Sequence, residues 1–137
     1  DGFSGAPATA VDSADVADIW GDLGARHYVF EQYIKLYPVC RWAQPPLQAV
    51  LGLRQAHGLV SADVDHIEVT TFHQSVRLAT RLPKTTEEAQ YSTAYPTAVA
   101  MVHGRVGAQE VSQAAFGDAE VQRLAAGMIF AEDEAYN

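Results

Sequence analysis

The chain has 137 residues, 48% of them hydrophobic and 19% charged, with a formal net charge of -8 at pH 7. That is enough for one domain with a buried core. The acidic balance argues against a nucleic-acid role, which needs a basic face to neutralise phosphate, and against an anionic membrane surface. No apolar run approaches the ~20 residues that span a bilayer, and Asp1 to Ala10 lacks the basic and apolar regions of a signal peptide. The single cysteine, Cys40, excludes an intrachain disulfide and fits a reducing, cytoplasmic compartment. With no CxxC pair and dispersed histidines, no metal site is expected.

Asp1 to Gly5 reads as a turn. Val11, Val16, Ile19 and Trp20 predict a helix near 13–21, capped by Asp12 or Ser13 and closed by Gly21 and Gly24. Residues 26–36 carry Tyr28, Val29, Phe30, Tyr33 and Ile34 and predict a strand. Both of its faces are apolar, which places it inside a sheet.

Tyr33 to Pro46 then compresses a strand end, a turn and a helix start into one junction. Pro38 stops regular pairing, because it has no N–H and a fixed φ. Pro45 and Pro46 suit a helix N-terminus, where a missing N–H costs nothing. The helix runs over 45–57 through Leu47, Val50, Leu51 and Arg54, and Gly58 stops it.

Ser61 to Asp63 is a turn, and 66–72 is a strand. Ile67, Val69 and Thr71 share one face of it, and Glu68 and Thr70 the other. His73 to Thr80 reads as a short helix or a continuation of the strand, ended by Pro83. Thr85 and Glu88 form a capping box. Pro96 breaks the helical segment that this box opens, so helix is expected mainly from Pro96 to His103, stopping at Gly104. Val111 to Phe116 predicts a short helix. Asp118 caps another, with Val121, Leu124 and Ala125 inward and Gly127 at its end. Met128 to Ala131 is a short strand, and an acidic tail closes the chain. The pattern is that of one α+β domain over 1–137: a small, mostly antiparallel sheet of three to four strands with helices packed against it.

No phosphate-binding loop, dinucleotide fingerprint, zinc-protease or nucleophile-elbow motif is present. Individual residues remain. Lys35 is a cation for a carboxylate, or a base if buried, against an ordinary role as a solvated lysine. Arg41 can clamp a carboxylate through two bonds. Cys40 reads as a small buried hydrophobe, because no histidine lies near it in sequence. Tyr91, Ser92 and Tyr95 cluster hydroxyls near a helix start, where capping and packing explain them almost as well as anion binding.

The junction Lys35-x-Tyr37-Pro38-x-Cys40-Arg41-Trp42 resembles the K-x-Y-P-x-C segment of the MmgE/PrpD family. Asp1-Gly2-Phe3-Ser4-Gly5 is similar to its G-F-T-G turn, and Ile67-Glu68-Val69 to part of its I-x-x-V-x-V strand. Glu88-Ala89-Gln90-Tyr91-Ser92-x-x-Tyr95 resembles E-A-Q-F-S-x-x-Y, and Ala98 to Val106 its A-x-A-x-x-x-G-x-V segment. The family includes 2-methylcitrate dehydratase, cis-aconitate decarboxylase and iminodisuccinate epimerase.

The resemblance implies the smaller α/β domain of a two-domain protein, with the large helical domain absent and the active site in the cleft between the two. It implies cofactor-independent removal of a proton beside a carboxylate, with loss of water or carbon dioxide or return of the proton on the other face. The substrate would be a small di- or tricarboxylate, and a helical-domain partner or a homo-oligomer would complete the site. On this basis Lys35 and Cys40 are the catalytic candidates, and Lys35, Tyr37, Arg41, Gln44, Ser92 and Tyr95 the substrate-binding ones. Cys40 stands where the decarboxylases have histidine, and Gln44 where many members have a histidine that Gln44 cannot replace as a titrating group. The other reading is a stand-alone binding or assembly module that keeps the fold without the chemistry.

Overall fold

The architecture comes from a computed structural model, which describes residues 20–78 and 81–136. The chain divides into two units, Asp1–Ile34 and Lys35–Asn137. The expected Asp1 to Gly5 turn, and the helix near 13–21 apart from Trp20 and Gly21, lie outside the described residues.

In the first unit the expected strand over 26–36 is not formed; Tyr28–Glu31 is a 3-10 turn. Its backbone groups are used locally: Phe30 N–H donates to the His27 carbonyl at 3.0 Å and Gln32 N–H to the Val29 carbonyl at 3.4 Å. The Arg26 guanidinium grips Glu31 through two bonds of 2.6 Å and lies 4.6 Å from the centre of the Tyr28 ring. The turn buries no residue, so the aromatic and β-branched character that predicted a strand is not used in a ladder.

In the second unit, helix α1 (Gln44–His57) is followed by strand β1 (Glu68–Thr71) and helices α2 (His73–Arg77) and α3 (Thr86–Gln90). Helices α4 (Ala94–His103) and α5 (Ala119–Gly127) and strand β2 (Ile129–Glu132) complete it. The expected helix over Val111 to Phe116 is reduced to a 3-10 turn, Gln113–Ala115.

The expected sheet of three to four mostly antiparallel strands is corrected by this arrangement. Among the described residues the fold is α+β, with five α-helices and one two-stranded parallel sheet. Glu68 pairs with Ile129 and Thr71 with Glu132. Everything from α2 to α5 lies between the two strands in sequence. A long helical crossover of this kind joins parallel strands, whereas antiparallel neighbours need only a short hairpin.

The core is built around α4. Eight of its residues, Ala94 through Met101, are buried. Ala94, Ala98 and Ala100 are small enough to let neighbouring helices approach. Leu47 and Val50 of α1, and Val121, Leu124 and Ala125 of α5, pack into the same cluster. Pro96 does not break α4, because it falls in the first turn, where its missing N–H would have had no helical partner. The helix therefore starts two residues earlier than expected. Thr85 and Asp118 cap as the sequence predicts: Thr85 Oγ1 accepts from Glu88 N–H at 3.2 Å, and Asp118 Oδ1 accepts from Glu120 and Val121 N–H.

Gly58 and Gly104 end α1 and α4 with φ of 64° and 67°. The two positions differ in their surroundings. A Cβ on Gly104 would lie 3.0 Å from Arg54 Nε, whereas one on Gly58 would meet open space. Arg54 is committed there, since its Nη1 donates to the Met101 and Val102 carbonyls at the end of α4. Gly58→Ala should therefore show only the left-handed penalty of about 1 kcal/mol, and Gly104→Ala clearly more. Thermal melts should separate them by a few degrees, at about 2–8 °C per kcal/mol across the domain sizes that bracket this chain. Equal melting temperatures would contradict a role for Arg54 in closing α4.

Candidate functional site

The junction survives as a connected structure, but not as a strand end. Residues 41–43 form a 3-10 turn, Arg41–Ala43, that runs directly into α1. Lys35 Nζ donates to the Val39 carbonyl at 3.2 Å, which folds 35–39 back on itself. Val39 is buried beneath. The Tyr37 hydroxyl donates to Gln48 Oε1 of α1 at 2.8 Å. Cys40 N–H donates to the Gln90 carbonyl at the end of α3 at 2.7 Å. The Trp42 carbonyl accepts from Ser75 Oγ of α2 at 3.0 Å, and the Trp42 ring meets Phe72 edge-on, with centroids 6.3 Å apart.

These bonds leave Lys35 and Arg41 exposed, and Tyr37, Cys40 and Gln44 half-buried. Gln44 begins α1, and its Nε2 is buried without a hydrogen-bond partner. Such orphaned donors are rare in native structures and cost about 1–3 kcal/mol. Lys35 has protons left for an acceptor beyond Val39, since an ammonium carries three donors.

Ser92 and Tyr95 lie elsewhere. They are 0% and 1% exposed. Ser92 Oγ accepts Tyr95 N–H at 2.9 Å at the start of α4. The Tyr95 hydroxyl donates to the Glu110 carbonyl at 2.9 Å, and its ring stands edge-on to Phe116 at 5.5 Å. Burial, with smaller contributions from the Asp118 and Glu110 charges, pushes the Tyr95 phenol up to about 12. Neither hydroxyl reaches the surface beside Lys35 and Arg41.

Sequence reasoning passes over the residues that hold the junction in place: Gln48, Phe72 and Ser75. A lone serine in a short helix carries no signal in sequence. It also passes over a cavity of about 510 Å³ near the end of α4, lined by His103, Arg105, Glu110 and Asp118. The Arg105 guanidinium there already meets Glu110 at 2.8 Å, and the His103 ring lies 3.1 Å from the Asp118 carboxylate. Burial raises the Glu110 carboxyl, but the Gly107 N–H and Arg105 together outweigh it and hold the group below its ordinary range.

Among the described residues, no group of three or more His, Cys, Asp or Glu side chains is arranged to hold a metal ion. None of the described helices is long and apolar enough to cross a membrane.

One parallel strand pair, helices packed around the buried α4, and a junction leading into α1 define the second unit as an α+β domain. The family model of the MmgE/PrpD C-terminal domain matches residues 37–137, and the chain belongs to this family. The match takes in the junction from Tyr37 onward; Lys35 stands two residues before it. No curated protein matches the chain.

Proposed function

We propose that this domain forms one wall of the substrate site of a cofactor-independent lyase or isomerase acting on small di- or tricarboxylates, in the manner of 2-methylcitrate dehydratase. The observation that carries the reading is the hydrogen-bonded junction, which carries Lys35 and Arg41 on the segment leading into α1, beside and within the family match. Two cations held on one short segment suit a polyanionic substrate, because charge-assisted bonds to carboxylates are strong and directional. Lys35 and Arg41 bind carboxylates, Tyr37 orients them, and Cys40 lies alongside. Ser92 and Tyr95 act through the packing of α4. A helical domain, carried by the same polypeptide or by a partner, supplies the second wall and the base that removes the proton. A cytoplasmic setting agrees with the lone cysteine.

The test is reconstitution. The chain mixed with the helical domain of a family member should turn over a tricarboxylate, and neither part alone should. Failure of the mixture, with no citrate bound by the chain, would overturn the reading.

Gln44 favours a second reading, a binding or assembly module without turnover, because an amide does not move protons. The two readings share one expectation. Gln44→Leu removes the orphaned donor and should raise stability by about 1 kcal/mol. Under the enzymatic reading it should also weaken citrate binding, since the donor is kept for an acceptor. A melt paired with a citrate titration checks both; higher stability with unchanged binding would leave Gln44 no part in the site.

A further inference from the structure

We propose that Ser75 is a positioning residue that fixes the Arg41–Ala43 turn, and with it the carboxylate-binding wall. The inference rests on the function proposed above for that wall, but its geometry stands apart from it. Ser75 is 0% exposed and lies in α2, more than thirty residues from the junction. Its hydroxyl donates to the Trp42 carbonyl at 3.0 Å.

Two further contacts make this bond specific. Phe72, which precedes α2, stands edge-on to the Trp42 ring, so backbone and ring of one residue are both held by the Phe72–Ser75 stretch. Ser75 itself is held from below. Thr93 Oγ1 donates to the Ser75 carbonyl at 2.8 Å, and Thr97 Oγ1 donates to the Thr93 carbonyl at 2.7 Å. Thr93 and Thr97 are also 0% exposed.

A run of buried hydroxyls thus extends from the interior of α4 up to the Trp42 carbonyl. The hydroxyl protons of Ser75 and Thr93 are directed at carbonyls, so the 3.4 Å approach of their two oxygens needs no proton of its own. Buried polar networks that are fully satisfied rigidify and specify one arrangement. Here the arrangement specified is the position of Arg41 and Trp42 relative to α1. A helix of five residues has little stability of its own, so α2 is held by this packing rather than by propensity. Gln90 fixes the other side of the turn through Cys40 N–H.

The test uses Cys40, the only cysteine, as a reporter. Ser75→Ala leaves the Trp42 carbonyl without its partner and should speed alkylation of Cys40 by iodoacetamide about five- to tenfold. Thr97→Val loses one buried bond from the same run but does not touch the turn, so it serves as the stability-matched control. Its melting temperature should fall about as far as that of Ser75→Ala, with Cys40 labelling unchanged. Citrate affinity should fall in Ser75→Ala by a factor similar to the rise in labelling, and stay unchanged in Thr97→Val.

Equal labelling in the two variants would mean that Ser75 contributes stability alone, and would overturn the proposal. Faster labelling in Ser75→Ala with citrate affinity at the wild-type level would also overturn it, since the wall would then not depend on the turn. If wild-type protein binds no citrate at all, the function proposed above fails, while the labelling comparison still decides whether Ser75 positions the turn.

Discussion

Tyr95→Ala should destabilise the domain by about 3–5 kcal/mol, the range for truncating a large aromatic side chain in a close-packed core. Among the described residues Tyr95 is the largest fully buried side chain, on the helix around which the others pack. Its removal leaves a cavity against Phe116 and strands the Glu110 carbonyl. Tyr95→Phe keeps the ring and loses only the hydroxyl, so about 1 kcal/mol is expected.

The same residue gives a pH signature. In the unfolded chain the phenol ionises near pH ~10; in the fold it is held neutral up to about 12. Below both values the two states bind the proton equally and stability is full. Between them the unfolded state has lost the proton that the folded state keeps, so stability falls as pH rises, and levels off above the folded value. The loss should be on the order of 2–3 kcal/mol. Denaturant unfolding across pH 9 to ~12 should show a steeper fall in wild type than in Tyr95→Phe, where only the smaller contribution of groups such as Tyr28 remains. Identical profiles would contradict the buried placement of the hydroxyl. A tyrosine that instead touched substrate at the surface would show small stability effects in both variants.

The second large effect concerns binding. Lys35→Met and Arg41→Met should each weaken citrate binding about tenfold or more, because a hydrogen bond to a charged group contributes about 1.5–3 kcal/mol. Both side chains are exposed, so each variant should stay folded, with Lys35→Met giving up about 1 kcal/mol for its lost bond to the Val39 carbonyl. Binding should weaken with added salt, as expected of accessible charges. The negative net charge of the whole chain does not oppose this, since attraction is set by the charges nearest the ligand at distances within a Debye length.

What the sequence discloses divides along local and non-local lines. The span of α1, the caps at Thr85 and Asp118, and the stops at Gly58 and Gly104 are legible, because each depends on residues within about one turn of helix. The inward set Val121, Leu124 and Ala125 is legible from spacing. Strand pairing is not. Tyr28 to Ile34 has the residues of a strand, but a strand exists only where another strand offers its edge, and here the Arg26–Glu31 bond and a 3-10 turn use the segment instead. The parallel direction of β1 and β2 likewise depends on the whole crossover.

The candidate site divides in the same way. Lys35 and Arg41 belong to one short segment because they are close in sequence. Ser92 and Tyr95 resemble part of the same surface in sequence because hydroxyl types do not disclose burial. Their hydroxyls serve the start of α4 and the Glu110 carbonyl. Ser75 is the reverse case, a residue without a sequence signal that touches the junction from across the fold.

The most direct measurement of the central claim is a calorimetric titration of citrate into the wild-type chain and into the Lys35→Met, Arg41→Met double variant. Saturable binding to one site is expected in wild type, with a loss of about 100-fold or more in the double variant. Equal affinity in the two proteins, or no saturable binding in wild type, would contradict a carboxylate-binding wall at the junction.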